Sequence, residues 1–324
     1  MTVRYPVDHR ELSDEDHLIM KVLRLYYEHH LTQAAVAKRL GFSRPKVSRL
    51  IAEGHLRGLV KIEIAQPTGD FAPLEIALED RYGIGEVLIS PTGEDGRSTE
   101  LTVGGSAAAC LARVCDMEST LGVSWGTTVR ALVEAVPPLA FKCDRVVPLV
   151  GSIGRAETVL HSNRACLDLA VKLGVEALNL DAPAIARSAS SREELMETPG
   201  IEDTLKVAVS CDVAVVGIGG ILPTSTIIHA GFFDSEEFLG LADRGAVGDV
   251  CFHFLDASGS PCLPGFSERV VGITPEQIRA VPKVIGIATG ARKAPGVAAV
   301  LKGGYVNHLV CDQELAEALL EIEE

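Results

Sequence analysis

The sequence predicts an α/β protein in two parts, a winged helix-turn-helix head over residues 1–66 and a doubly wound α/β body over residues 67–324. Three observations carry this. Residues 33–50 read as a helix, a tight turn and a second helix. From Pro73 onward, short apolar strands alternate with helical patterns. The charge also divides between the parts: residues 1–66 hold 11 Lys/Arg and 8 Asp/Glu, while the whole chain has a formal net charge of −14. A small basic head on a strongly acidic body suits a DNA-reading unit joined to one that must not adhere to DNA.

In the head, residues 1–13 are polar and expected to be loosely ordered. Leu18, Ile19, Val22 and Leu25 recur at helical spacing behind Asp14, Glu15 and Asp16, acids that suit a helix N-terminus. In the following hairpin Val36, Ala37 and Leu40 share one face, and Gly41 supplies the left-handed residue that stops the helix. Ser43 caps the next helix, and Pro45 is tolerated in its first turn. Val47, Leu50 and Ile51 point back at the first helix. The second helix of such a motif enters the DNA major groove.

Burying Val47, Leu50 and Ile51 leaves Ser43, Arg44, Lys46, Ser48 and Arg49 outside, and Gln33 at the start of the first helix within reach of a phosphate. Arginine bridges guanine O6 and N7, while serine and lysine hold phosphates. These six are the candidate DNA-binding residues; the competing explanation is a helical hairpin with a solvated basic face. Gly54 and Gly58 are expected to loosen the exit of the second helix. Residues 59–64 alternate apolar and polar, as a short strand or wing does, and residues 66–70 form a linker.

In the body, a short helix over residues 74–82 ends at Gly83. Strands are expected near residues 87–89, 120–123, 146–150, 177–180, 213–216, 284–287 and 308–310. Helical patterns cover 98–115, 128–136, 162–174, 201–209, 293–302 and 313–321. Apolar strands separated by helices imply a parallel sheet covered on both faces, and such sheets bind ligands beyond the carboxyl ends of their strands.

Four loops there carry suitable residues. After one strand come Gly126, Thr127 and Thr128, where a glycine, two hydroxyls and free helix amides can hold a phosphate; Thr127 as an ordinary cap is the alternative. Residues 217–220 are glycine-rich around Gly219. Pro223 and the lack of a third glycine exclude a dinucleotide fingerprint, leaving close backbone approach. Asp249 follows two glycines and can accept hydrogen bonds from sugar hydroxyls, or from its own turn. Lys293 lies between a strand and a helix, where its charge opposes the helix dipole, and can neutralise a phosphate or anchor a hydroxyl. Arg155, His161, Asn163 and His229 complete the candidate pocket wall. Trp125 is read as a packing residue.

Hydrophobic residues make up 47% of the chain, enough for a sizeable core. Eight cysteines are scattered with no CxxC pair, so buried reduced thiols are expected and a metal site is not. No cofactor is expected. Neither a signal peptide nor a bilayer-length apolar run is present, so a soluble cytoplasmic protein without membrane contact is expected.

The chain resembles the SorC family of bacterial transcriptional regulators, also called the deoxyribonucleoside/central-glycolytic regulator group. In the head the likeness rests on residues 31–33, 37–41, Ser43-Arg44, 47–50 and 58–62. In the body it rests on residues 122–128, Gly217-Ile218-Gly219, 245–249, Gly290 with Lys293, and 303–307. The resemblance implies a C-terminal domain like the sugar-phosphate isomerases and deaminases of the NagB/RpiA type, serving as a sensor for a phosphorylated sugar. By position Thr127, Thr128, Asp249, Lys293 and Asn163 match the family's effector-contacting residues. Some members hold an aldehyde through a lysine at the end of the third strand; residues 146–151 contain none, so the effector is expected to bind without a covalent bond. The resemblance also implies a homo-oligomer, dimer or tetramer, suited to two-fold operators. The alternative function is a sugar-phosphate isomerase or deaminase, with Asp249 and His229 or His161 as acid and base; no tight acid/base cluster is visible for it.

Overall fold

The computed structural model describes residues 2–4, 13–63, 69–152, 162–229, 231 and 233–323. The chain divides into two compact units, Met1–Asp70 and Phe71–Glu324. The first holds β1 (Thr2–Arg4), α1 (Asp14–Tyr27), α2 (Gln33–Leu40), α3 (Arg44–Leu56) and β2 (Lys61–Glu63).

Each helix of the first unit begins at a polar cap that satisfies amides lacking intrahelical partners. Ser13 accepts from the Asp16 amide, Thr32 from Ala35 and Ser43 from Lys46. Gly41, at φ 72°, ends α2 in the left-handed conformation. Ile19, Val22, Leu23, Val36, Ala37, Val47 and Ile51 are buried together, while Leu50 stays half-buried. Two expectations change. Gly54 does not loosen the end of α3: it is buried inside the helix, and a Cβ there would lie 2.7 Å from Leu23 Cδ1, so it permits the close α1–α3 contact. Part of the N-terminal stretch expected to be loose is a strand, β1, paired antiparallel with β2. That pairing joins segments far apart in sequence, and local polarity carries no sign of it.

The second unit is built on β3 (Glu86–Ser90), β4 (Thr120–Val123), β5 (Arg145–Pro148), β6 (Glu176–Ala177), β7 (Val213–Gly220), β8 (Gly248–Val250), β9 (His253–Leu255), β10 (Lys283–Ile287) and β11 (His308–Asp312). Seven of these run parallel in the order β3-β11-β10-β7-β4-β5-β6. The β8–β9 hairpin attaches antiparallel to the far end of β7. Between them run α4 (Ala72–Tyr82), α5 (Gly96–Val114), α6 (Thr127–Ala135), α7 (Ser162–Leu173), α8 (Ala189–Met196) and α9 (Pro199–Val209), followed by shorter turns and the helices Ala294–Lys302 and Gln313–Glu321.

Successive residues of a strand point to opposite faces, and here they enter different cores. Val213, Val215, Ile285, Ile287 and Val310 pack with α5, α6 and α7. Ala214, Val216, Val284, Leu309 and Cys311 pack with the two C-terminal helices. Both faces are thus covered, as a parallel sheet requires. The polar helix α8 buries no residue, and therefore gives no apolar period to read. Residues 217–220, expected as a loop, continue β7 because β8 supplies their hydrogen-bonding partners. Asp249 lies within β8 rather than in a turn; the turn is formed instead by Cys251 and Phe252.

Neighbouring glycines in α5 make opposite demands. A Cβ on Gly104 would sit 2.6 Å from the Ala131 carbonyl carbon in α6, whereas one on Gly105 meets open space. Gly104→Ala is expected to cost about 1–3 kcal/mol by overpacking the α5–α6 contact. Gly105→Ala is expected to stabilise by up to about 1 kcal/mol through helix propensity alone. Urea denaturation of the two variants checks both signs.

Candidate functional site

The chain enters the sheet at the edge strand β3, passes to β4 and moves outward to β5 and β6, then returns to β7 on the other side of β4 before building outward to β10 and β11. Connections therefore leave β4 and β7 in opposite directions, which opens a crevice at the carboxyl ends of adjacent strands. A cavity of about 580 Å³ lies there, within the range of small-molecule sites. It is lined by segments following β3, β4, β10 and β11, by the end of β7, and by Asp249 and Cys251 of the hairpin.

The segment after β4 presents a helix start without a side-chain cap. Gly126 is the N-cap of α6 at φ 127°, ψ 165°, a conformation that favours glycine, and no side chain caps the helix. The first amides of α6 thus lack a side-chain acceptor and line the cavity. Thr127 is half-buried beside them and does not cap; Thr128 is buried and donates to the Ile287 carbonyl at 3.3 Å, tying α6 to β10.

Asp249 faces Gly219 across the β7–β8 pair. A Cβ on Gly219 would approach Asp249 Oδ1 to 1.9 Å, so the missing side chain is what admits the carboxylate. Asp249 is 5% exposed. Burial pushes its pKa up to about 6, against the opposing pull of the Phe252 amide, which donates to Oδ2 at 3.3 Å, and of the Lys293 ammonium. Behind it, Cys251 and Phe252 form a two-residue hairpin turn with both φ values positive, at 50° and 66°. Neither residue is glycine, and the strain is offset by Phe252 stacking on Trp125 with ring centroids 4.6 Å apart. Burial pushes the Cys251 thiol up to about 12, so it stays protonated and is no nucleophile at neutral pH.

Lys293 is half-buried at the head of the helix Ala294–Lys302. Burial lowers its pKa, and Glu100, Asp249 and Asp312 oppose that shift. Asp312 is fully buried at the end of β11, where one oxygen accepts the Gly290 amide at 2.7 Å and the other the Thr92 hydroxyl at 3.1 Å. It thereby fixes the segments after β3 and β10 to each other. Among the described residues the lining carries six carboxylates (Glu94, Asp95, Glu100, Asp249, Asp312 and Glu314) and a single ammonium, Lys293.

Of the residues nominated from sequence, Gly126, Thr127, Thr128, Gly219, Asp249 and Lys293 come together around this cavity. Asn163 does not. Its amide donates to Ser152 Oγ and the Leu180 carbonyl and accepts from the Leu180 amide, each at 3.0 Å, so it pins α7 to the segment beyond β6. Arg155 and His161 lie outside the described residues, and so does the side chain of His229, at the end of the short helix Thr226–His229. Thr92, Glu100, Thr289 and Asp312 line the cavity without having been singled out. A signal for Asp312 existed: it is a carboxylate that ends a parallel strand and opens a helix.

In the first unit Ser43, Arg44, Lys46, Ser48 and Arg49 are exposed along α3, and Gln33 is half-buried at the start of α2. No carboxylate among the described residues pairs with Arg44, Lys46 or Arg49; Lys46 Nζ rests 4.1 Å from the centre of the Phe42 ring. The cations that would meet a phosphate backbone are therefore not already neutralised.

A helix-turn-helix with an unneutralised basic face, together with a ligand-sized cavity at a sheet switch point, defines a DNA-binding regulator that carries a small-molecule domain. Residues 66–321 match the family described as "Putative sugar-binding domain". The chain is 32% identical over 314 residues to the sorbitol operon regulator of Klebsiella pneumoniae, covering 96% of this chain and 100% of the relative. It is 29% identical over 310 residues to the deoxyribonucleoside regulator of Bacillus subtilis, covering 95% and 98%. The crystal structure of full-length SorC from Klebsiella pneumoniae superposes with a TM-score of 0.73, over 95% of this chain and 100% of that one. The chain belongs to the SorC family of transcriptional regulators of carbohydrate metabolism; its relatives are regulators, not enzymes.

The buried Asp249 carboxyl gives a pH signature. A folded-state pKa of about 6 against an ordinary 3.8 makes the folded protein the stronger proton binder, so the ionised carboxylate destabilises it above pH 6. Asp249→Asn is expected to raise stability at pH 7.5 by about 1–3 kcal/mol. The gain shrinks as pH falls from about 6 and vanishes below 3.8, because the native carboxyl is then neutral in both states. Urea denaturation across that range checks the sign.

Proposed function

We propose that α3 reads operator DNA through Arg44, Lys46, Ser48 and Arg49, with Ser43 and Gln33 on flanking phosphates, and that the cavity controls this binding by taking a sugar phosphate or related small carbohydrate without a covalent bond. The single observation that carries the effector half is the convergence of an uncapped helix start, Gly126 to Thr128, with Asp249 and Lys293 around one cavity. Helix amides recognise an anion, and a carboxylate and an ammonium recognise hydroxyls by accepting and donating hydrogen bonds. Names among the relatives agree in kind, a sorbitol operon regulator and a deoxyribonucleoside regulator, both concerned with carbohydrate-derived molecules.

Non-covalent binding is supported by the end of β5, where residues 145–151 contain no lysine. Two-fold operator recognition calls for a homo-oligomer, dimer or tetramer. Effector and DNA then share one coupling free energy, typically worth a 5- to 150-fold change in operator affinity. A catalytic alternative has less to stand on, because the relatives that the chain matches along nearly their whole length are transcriptional regulators.

Fluorescence anisotropy of labelled DNA from upstream of the protein's own coding region tests both halves, with phosphorylated and free sugars added at fixed salt because phosphate contacts make affinity salt-dependent. Arg49→Ala is expected to weaken operator binding by about tenfold or more, the loss of one base or phosphate contact, while sugar binding persists. Lys293→Ala is expected to leave operator affinity within about twofold and abolish the response to sugar. Loss of both activities in both variants, with the fold intact by circular dichroism, overturns the division of labour.

A further inference from the structure

We propose that the cavity accepts carbohydrates bearing one anionic group only, and that Glu100 with the rim residues Glu94 and Glu314 rejects a second phosphate or a carboxylate at the ligand's other end. This rests on the effector function proposed above and narrows its ligand class.

The argument begins from which carboxylates are already committed. Asp312 accepts the Gly290 amide on one oxygen and the Thr92 hydroxyl on the other, and Asp95 caps α5 by accepting the Ser98 amide at 2.7 Å. Glu94 and Glu314 are exposed and have no hydrogen bond or ion pair from their side chains among the described residues. Glu100 is half-buried in α5, and among the described residues its one ion pair is with Arg97 at 3.7 Å. Lys293, the one lining cation among the described residues, already sits in the field of Glu100, Asp249 and Asp312. A single phosphate escapes this negative field at the start of α6, where amides and the Thr127 hydroxyl receive it. No second such receptor lines the cavity among the described residues: the start of α5 is closed by the Asp95 carboxylate, the helix Ala294–Lys302 opens with an Ala294 amide bonded to the Ala291 carbonyl and with Pro295, and the helix Gln313–Glu321 opens between the Asp312 and Glu314 carboxylates with its Glu314 amide given to the Thr92 hydroxyl.

Space does not impose the limit. A cavity of about 580 Å³ holds a drug-sized ligand, so a hexose bisphosphate fits by volume. Charge must therefore make the distinction, by like-charge repulsion in a partly desolvated site. The same carboxylates are acceptors for the hydroxyls of a neutral end. The rim favours a polyhydroxylated tail for the reason that it opposes an anionic one.

Trp125 is the sole tryptophan of the chain and lines the cavity, so its fluorescence reports occupancy. The full-length protein is titrated with matched mono- and bisphosphates of a pentose, two hexoses and a hexitol, with the free sugars and inorganic phosphate alongside, and calorimetry as a second readout. For the sugar that binds best, the monophosphate is expected to bind at least ~30-fold more tightly than its bisphosphate at low salt. Raising the salt is expected to narrow that ratio, because the rim charges are exposed. Glu94→Gln with Glu314→Gln, both on the surface and safe for folding, is expected to cut the ratio to below about tenfold, and adding Glu100→Gln to cut it further. A wild-type ratio near one, a tighter bisphosphate, or a ratio that the variants leave unmoved overturns the inference while the effector function stands. Binding of a free sugar but of no phosphate does the same. Silence of every sugar by both readouts removes the effector function and this inference with it.

Discussion

Gly219 is the position on which the sugar-binding unit turns. Its missing side chain leaves the space that Asp249 Oδ1 occupies, and its carbonyl lies where a Cβ on Gly248 or Gly296 would come within 2.7 Å. Three backbones, from β7, β8 and the helix Ala294–Lys302, therefore meet without side chains between them. The helix that carries Lys293 rests on the hairpin that carries Asp249, and the two functional groups share a cavity because glycine lets their scaffolds touch. Phe252, stacked on Trp125, holds the strained turn behind Asp249 and links it to the segment that leads into α6.

Electrostatics divides the molecule in the same economical way. Arg44, Lys46 and Arg49 stand on one exposed helix face without acidic partners among the described residues, ready for a polyanion. The cavity of the second unit is the reverse, a basin of carboxylates with, among the described residues, the Lys293 ammonium inside and the uncapped start of α6 in its wall. A buried carboxyl with its pKa raised and a lysine with its pKa lowered both mark desolvated polar groups without full partners. Such groups carry a desolvation cost that a ligand able to hydrogen-bond them relieves.

The contrast between Asp249 and Asn163 shows what a loop-by-loop reading of the chain can and cannot reach. Both are polar residues near the carboxyl side of the sheet, and both matched effector positions by resemblance. Asp249 enters the cavity because β8 pairs with β7 in the register that sets it against Gly219. Asn163 spends both ends of its amide on Leu180 and Ser152. Glu100 and Asp312 were passed over since each looks local, one a helix-surface acid and the other a strand end, until β3 and β11 prove to be neighbours. The turn at Cys251 and Phe252 was invisible too, because two bulky residues at positive φ contradict every local turn preference.

The sequence by itself determined what depends on short stretches of chain: the capped helices around Gly41, the apolar strands and the helices between them, the glycine-threonine entry to α6, and the separation of basic head from acidic body. These are set by periodicity, capping and charge within a few residues, so they are written where they act. The tertiary structure alone decided the order β3-β11-β10-β7-β4-β5-β6, the continuation of β7 through its glycines, the pairing of β1 with β2, and which carboxylates share the cavity with Lys293. Each of those depends on the register between segments distant along the chain, which is fixed by packing and by backbone hydrogen bonds that no single segment contains.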